Sequence, residues 1–243
     1  MNKEVDLSVS CYGKVKDRKY DIVILPWGAT EPHNLHLPYM TDCILSHDVA
    51  VDAALIAKQK YGVNCMVMPP IGMGSQNPGQ RELPFCIHTR YETQKAILTD
   101  IVSSLYVQGI RKLVIINGHG GNTFKSMIRD LSVDYPDFLI ASSEWYTVLK
   151  GDHADEVETS VMMHYHPELV NLEEAGNGEY KTFAIQSLNE KVAWIPRNWG
   201  KVSKDTGVGD PRGASVEKGK KFAEAVAEKY AKLFDELVNQ ELY

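Results

Sequence analysis

D-I-V-I-L-P-W-G-A-T-E-P-H-N-L-H-L-P-Y-M-T-D, residues 21–42, changes character after its fifth residue. The opening D-I-V-I-L (21–25) is nearly all apolar, as a strand covered on both faces requires. Residues 26–42 are rich in turn formers and in side chains that bind protons or cations: Glu31, His33, His36 and Asp42. The same change recurs downstream. Residues 64–68 (N-C-M-V-M), 112–116 (K-L-V-I-I) and 138–141 (F-L-I-A) read as three more buried strands. Helical patterns lie between them at 46–61, 91–108 and 123–133, and in the second Ile97, Ile101 and Leu105 recur as one apolar stripe. Strand, helix, strand at this spacing predicts right-handed crossovers and a mainly parallel sheet flanked by helices, an α/β fold.

Residues 215–242 read as a long amphipathic helix, with Phe222, Val226, Tyr230, Leu233 and Leu237 on the face that packs on the sheet. Its polar face mixes Lys and Glu, which argues against a membrane-surface helix. The stretch 171–206 contains Gly176, Gly178, Pro196 and Gly200 and reads as loops with a short antiparallel hairpin. No repeat or linker divides the chain, so residues 1–243 are expected to form a single domain.

Lys and Arg number 26 against 32 Asp and Glu, a formal charge of −6, and no long basic run is present. A nucleic-acid partner is therefore not expected, since phosphate binding needs a basic surface. The four cysteines, Cys11, Cys43, Cys65 and Cys86, contain no C-x-x-C pair. The amino terminus is too polar for a signal peptide, and no apolar run approaches the roughly 20 residues of a membrane span. A reduced, cytoplasmic setting without a membrane partner is the expectation.

Chemistry-bearing residues come directly after three of the strands. After the first stand Glu31, His33 and Asp42; after the third, N-G-H-G-G-N (117–122) with His119; after the fourth, H-A-D-E-V-E-T-S (153–160). Ligands of open parallel sheets bind outside the carboxyl ends of the strands, so the three segments converge on one edge. Glu31 and His33, two residues apart in extended chain, point the same way and can reach one metal or two adjacent ones. Asp42 can bridge two ions with its two oxygens. Mixed His and carboxylate ligation suits zinc, manganese or iron. Around His119, Gly118, Gly120 and Gly121 suggest positive φ and close approach to a ligand; a phosphate loop would want a lysine that is missing. Asp155 and Glu156 suit a helix amino terminus. Glu158 shares the buried stripe of Val161, Met162 and Tyr165, so its carboxylate needs a partner. His153, just ahead of that helix, is a candidate acid/base. His36 reads as an orienting or structural histidine, and His164 and His166 as structural.

These segments resemble the signatures of the creatininase (creatinine amidohydrolase) family. Residues 25–42 are similar to its first, usually P-x-G-S-x-E-Q-H-G-P-H-L-P and then Asp, with Pro32 and Asn34 in place of Gln and Gly. N-G-H-G-G-N matches the second, residues 153–160 with the later P-E-L-V resemble the third, and G-V-G-D-P-R-G-A-S-V-E-K-G (207–219) resembles the carboxyl-terminal one. The resemblance implies a three-layer α/β domain, often a homo-oligomer (a hexamer), with two divalent ions, zinc and/or manganese, iron being an alternative. By position, Glu31, His33, Asp42 and His119 look like metal ligands, Asp42 the bridge, and His153 matches the histidine placed near the reacting nitrogen. In creatininases proper the residue two after the histidine equivalent to His119 is an acidic ligand; Gly121 stands there here, which makes Glu158 the choice for the missing ligand and a member of the catalytic set. Arg81 and Arg90, in P-G-Q-R-E-L-P-F-C-I-H-T-R (78–90), are expected near the cleft and suggest an anionic substrate group.

The expected function is a metal-dependent amidohydrolase cleaving a C–N bond, other than a peptide bond, in a small cyclic or linear amide by a metal-bridging hydroxide, with His153 protonating the departing nitrogen. Alternatives are a formamide deformylase on a pyrimidine-type intermediate or a peptide amidase on the same centre, and a metal-containing binding protein without turnover.

Overall fold

The computed structural model describes residues 4–243. Four parallel strands form one sheet in the order β2-β1-β3-β4: β1 Ile22–Trp27, β2 Cys65–Val67, β3 Lys112–Asn117 and β4 Leu139–Glu144. The five longer helices are α1 Thr41–Tyr61, α2 Tyr91–Val107, α3 Lys125–Asp134, α4 Glu156–Tyr165 and α5 Val216–Asn239. Because side chains alternate across a strand, each central strand serves two cores. Ile22, Ile24, Val114 and Ile116 pack with α1, α4 and α5, whereas Val23, Leu25, Trp27, Leu113 and Ile115 pack with α2 and α3. Helices cover both faces, so the fold is the three-layer α/β arrangement expected. Among the described residues no helix is long and apolar enough to cross a membrane.

Several boundaries differ from the expectation, each for a physical reason. Strand β1 runs through Pro26 to Trp27: proline has no N–H to donate, but its carbonyl still accepts the Ile71 N–H at 3.1 Å. Trp27, Asn117 and Glu144 thereby become register neighbours at the carboxyl edge. Helix α1 begins at Thr41 rather than 46, which places Asp42 inside its first turn instead of in the segment ahead of it. The buried stripe of α2 is Gln94, Leu98, Val102 and Leu105; Ile97 and Ile101 flank it, half-buried. On α5 the fully covered residues are smaller than expected, Ala223, Val226, Ala227, Tyr230, Ala231 and Phe234, with Phe222, Leu233 and Leu237 at the margin. Small side chains let the helix lie close to α1 and α4. The hairpin expected within 171–206 reduces to a single antiparallel bridge, Tyr180 to Ser203, between short helical turns.

Two glycines set where α1 enters. A Cβ on Gly28, just past β1, would lie 2.6 Å from the Cβ of Asp42, and one on Gly118, just past β3, would collide with the Asp42 carbonyl. The first turn of α1 is therefore seated between the ends of the two central strands. Gly118→Ala is expected to lower stability by about 1–3 kcal/mol through overpacking. The check is the chemical-denaturation midpoint, with Gly13→Ala, where a Cβ meets nothing within 4 Å, as the control that should not fall.

Candidate metal centre

Glu31, His33, Asp42, His119, His153 and Glu158 meet at the carboxyl edge of the sheet. All are buried except His153, which keeps some exposure. Their ligating atoms form three tight groups: Glu31, Asp42 and His119; His33, Asp42 and Glu158; and Glu31, His33 and His153. The first two share Asp42. Its Oδ1 lies 3.0 Å from His33 Nε2 and its Oδ2 lies 3.3 Å from His119 Nδ1.

The histidine rings are fixed from outside the cluster. Carbonyl oxygens only accept, so each ring nitrogen bonded to one must carry a hydrogen. His33 Nδ1 donates to the Glu31 carbonyl at 3.0 Å, His119 Nε2 to the Ser75 carbonyl at 2.7 Å, and His153 Nε2 to the Pro32 carbonyl at 3.0 Å. A neutral imidazole has one N–H, and all three have spent it. The other nitrogens therefore turn lone pairs onto carboxylates: His33 Nε2 on Asp42 and, at 3.9 Å, on Glu158; His119 Nδ1 on Glu31 at 2.9 Å; His153 Nδ1 on Glu31 at 3.5 Å. Lone pair facing anion is repulsive unless a proton or a metal cation lies between. Binding histidines through one nitrogen while the other donates to a carbonyl is the usual arrangement around metals.

Protons fill that role when no cation does. Burial opposes charge at His33, but Asp42 and Glu158 overcome it and lift its pKa to about 10. His119 is likewise carried well above an ordinary imidazole by Glu31 and Asp42, against burial. Burial also opposes charge at Glu31 and Asp42, yet the histidines hold both below the usual carboxylate range. Glu158 goes the other way: burial, with the nearby Asp42 charge, pushes it up to about 8. Burial, then His33, lowers His153, so it is neutral at rest.

The residues present fit divalent cations. Asp42 Oδ2 is buried with no hydrogen bond and only His119 Nδ1 near it, at 3.3 Å, so it can accept a cation. Three carboxylates and imidazole nitrogens are the donor set that zinc and manganese take. Glu158 also has a local task, since its Oε2 accepts the Ala154 N–H at 2.6 Å.

Local sequence explains each placement. Asp155 caps α4, accepting from the N–H groups of Val157 and Glu158, and Ala154 ahead of it takes a left-handed φ of 55° that turns His153 inward. Asn34 sits at φ 53°, a conformation asparagine tolerates, and its side chain bonds both backbone groups of Gly176. In the 117–122 turn, Asn117 accepts the His119 N–H and donates to the His119 carbonyl, and Asn122 donates to Asn117 and to the Gly28 carbonyl. Gly118, Gly120 and Gly121 do not adopt positive φ, contrary to expectation; close packing accounts for Gly118, against Asp42, and for Gly121, against Ser75 and His119. Residues 207–219 brace α4: Val208 N–H donates to the His153 carbonyl and Ser215 N–H to Ser160 Oγ.

His36 does not join the cluster; its Nε2 bonds Thr159 Oγ1 at 2.8 Å, beside Glu158. His166 pairs with Asp48 away from the site. Arg81 and Arg90 are exposed, and neither lines the cleft above the cluster. That cleft, about 350 Å³, is lined instead by Ser75, Gln76, Gln80, Tyr146, Arg197 and Trp199 around the ligand set. Gln80 donates to Glu31 Oε2 at 2.7 Å and so aims its other oxygen at His119. Sequence patterning alone points to none of these. The unusual run G-M-G-S-Q-N-P-G-Q (72–80) is the one signal it offers.

An α/β edge carrying carboxylate and histidine groups around one shared aspartate offers candidate ligands for metal ions. The family profile described as creatinine amidohydrolase matches residues 9–234, and the chain belongs to the creatininase family. It is an enzyme, a creatininase-family amidohydrolase. Curated relatives include a 3-dehydro-scyllo-inosose hydrolase of Thermotoga maritima, 26% identical over 92% of this chain and 79% of that protein, and a mycofactocin precursor peptide peptidase of Mycobacterium ulcerans, 30% identical over 84% and 81%. A crystal structure from Bacteroides fragilis NCTC 9343, provisionally named a creatinine amidohydrolase, is 66% identical with a TM-score of 0.98 over the whole of both chains. Creatininase structures described as Mn and as Zn-Zn type share the fold at 22% and 21% identity, with TM-scores of 0.80 and 0.77 over 98% of this chain and 100% of each of theirs.

Cation binding must displace the protons held by His33, His119 and Glu158. Metal uptake at pH 7 is therefore expected to release protons, and affinity to rise as pH climbs from about 6 to 9 through the raised Glu158 value. Calorimetry in buffers of different ionisation enthalpy reads both; uptake with no buffer dependence would contradict the assignment.

Proposed function

We propose that the enzyme hydrolyses the C–N bond of a small cyclic or linear amide, with two divalent cations, zinc and/or manganese, held on the two ligand groups that share Asp42. That shared carboxylate is the observation that carries the reading. Glu31, Asp42 and His119 would hold one ion, and His33, Asp42 and Glu158 the other. When bound, such ions polarise an amide carbonyl and acidify water toward neutrality.

The chain's own residues do the rest. His153, neutral at rest with Nε2–H on the Pro32 carbonyl, has an unprotonated Nδ1, 3.5 Å from Glu31, that can take a proton from the attacking water. It then gives that proton to the departing nitrogen, which leaves as an amine. Tyr146 lines the cleft with its hydroxyl over Gly120. Burial and the carboxylates of Glu144 and Asp42 push its pKa up, so it stays a donor and can bond the substrate oxygen as charge develops there. Gln80 and Ser75 keep Glu31 and His119 in register with each other.

A peptide amide on the same centre is the second reading. A larger groove of about 1060 Å³ shares Trp194, Ile195, Pro196 and Arg197 with the cleft and leaves room for a longer substrate.

Elemental analysis of the purified protein, paired with a hydrolysis screen over lactams, formamides and small amides, tests the reading. Two equivalents of metal and chelator-sensitive turnover are expected, with His119→Ala losing metal and Glu158→Gln retaining about one equivalent. His153→Ala is expected to keep both ions and lower kcat roughly 10²- to 10⁴-fold. Full activity without metal would refute the proposal; metal without turnover on any substrate would favour a binding protein.

A further inference from the structure

Among the described residues, Arg197 and Asp152 are the charged side chains that line the cleft outside the histidine and carboxylate cluster. We infer that Arg197 binds a carboxylate on the substrate, so that the preferred amides carry an anionic carboxylate a few bonds from the scissile C–N bond. This deepens the hydrolase reading and rests on it for the identity of the reacting bond.

Arg197 is free to do so. Among the described residues no Asp or Glu pairs with it, whereas Arg111 and Arg212 are paired with Asp137 and Asp210. It stacks on Trp199, the guanidinium carbon standing 4.8 Å from the ring centroid. Stacking occupies the flat face of the guanidinium and leaves its N–H edge for a bidentate carboxylate. The platform is rigid: Trp199 is 4% exposed, and its backbone N–H donates to the Pro78 carbonyl at 2.7 Å. The indole also meets the His153 ring edge-on at 5.3 Å. One indole ring therefore links the guanidinium to the residue assigned to proton transfer, which fixes the spacing between carboxylate and reacting amide.

One further feature points the same way. Beyond Arg197 the adjoining groove carries Lys181, Lys191, Lys201 and Lys204 against Glu179 and Asp205. The lysines outnumber the carboxylates there, so the outer groove favours an anionic group placed outward of the cluster, on Arg197.

The test uses metal-loaded protein and probe pairs that differ only in charge: N-acetylglycine with N-acetylglycinamide, and 5-oxoproline with its carboxamide. Calorimetry on the wild type is expected to give about tenfold tighter binding of each carboxylate. Arg197→Ala should erase that preference while leaving metal content and binding of the neutral members unchanged, and Arg197→Lys should keep part of it. Equal binding within the pairs, a preference that survives Arg197→Ala because the carboxylate sits on the metals, or no binding of any probe at roughly 10 mM would each overturn the proposal. A protein that holds metal and turns over neutral amides without preference loses this subsite but keeps the hydrolase reading. An Arg197-dependent preference without turnover does the reverse.

Discussion

Three imidazoles spend their single neutral-form proton on backbone carbonyls and turn bare nitrogens toward buried carboxylates. That arrangement cannot stand alone. Burying Glu31, Asp42 and Glu158 together is costly, and lone pairs facing them add to the repulsion, so positive charge must enter the cluster. Protons supply it at His33 and His119 in the metal-free protein, and divalent cations are the better match to the donor set. The orphan oxygen of Asp42 marks where the two ligand groups join.

Much of the fold serves to hold this constraint. Glycines at the ends of β1 and β3 let the first turn of α1 come between the strands, which puts Asp42 near the positive end of a helix. The two asparagines of the 117–122 turn, the Asp155 cap and the 207–219 segment each fix one contributor from behind. A shift of any of these by about an ångström would separate the bridge from its partners, which is beyond the tolerance that catalytic metal sites allow. The substrate side is different in kind. Tyr146, Trp199 and Arg197 come from segments outside the central strands and line the cleft without touching the shared aspartate.

The sheet and the clustering of the candidate site residues were legible in the sequence because each rests on local chemistry. Continuous apolar runs mark strands covered on both faces, and the residues after them hold Glu31, His33, His119 and His153. Glu158 was legible as a carboxylate on a buried stripe. Less was readable where long-range packing decides. Asp42 was expected ahead of the helix because Met40, which precedes it, gives no capping signal. The stripe of α2 includes Gln94, a polar residue buried because its amide bonds Ser75 and the Thr89 carbonyl. Arg81 and Arg90 fell near the cleft by position but lie exposed outside it, while Arg197 reaches it through an irregular segment whose path no periodicity predicts.

Anomalous diffraction from metal-loaded crystals, collected above and below the zinc and manganese edges, tests the central claim most directly. Two peaks roughly 3.5–4 Å apart on either side of the Asp42 carboxylate are predicted, the separation of known two-metal sites. A single peak away from Asp42, or none at full metal loading, would contradict the account.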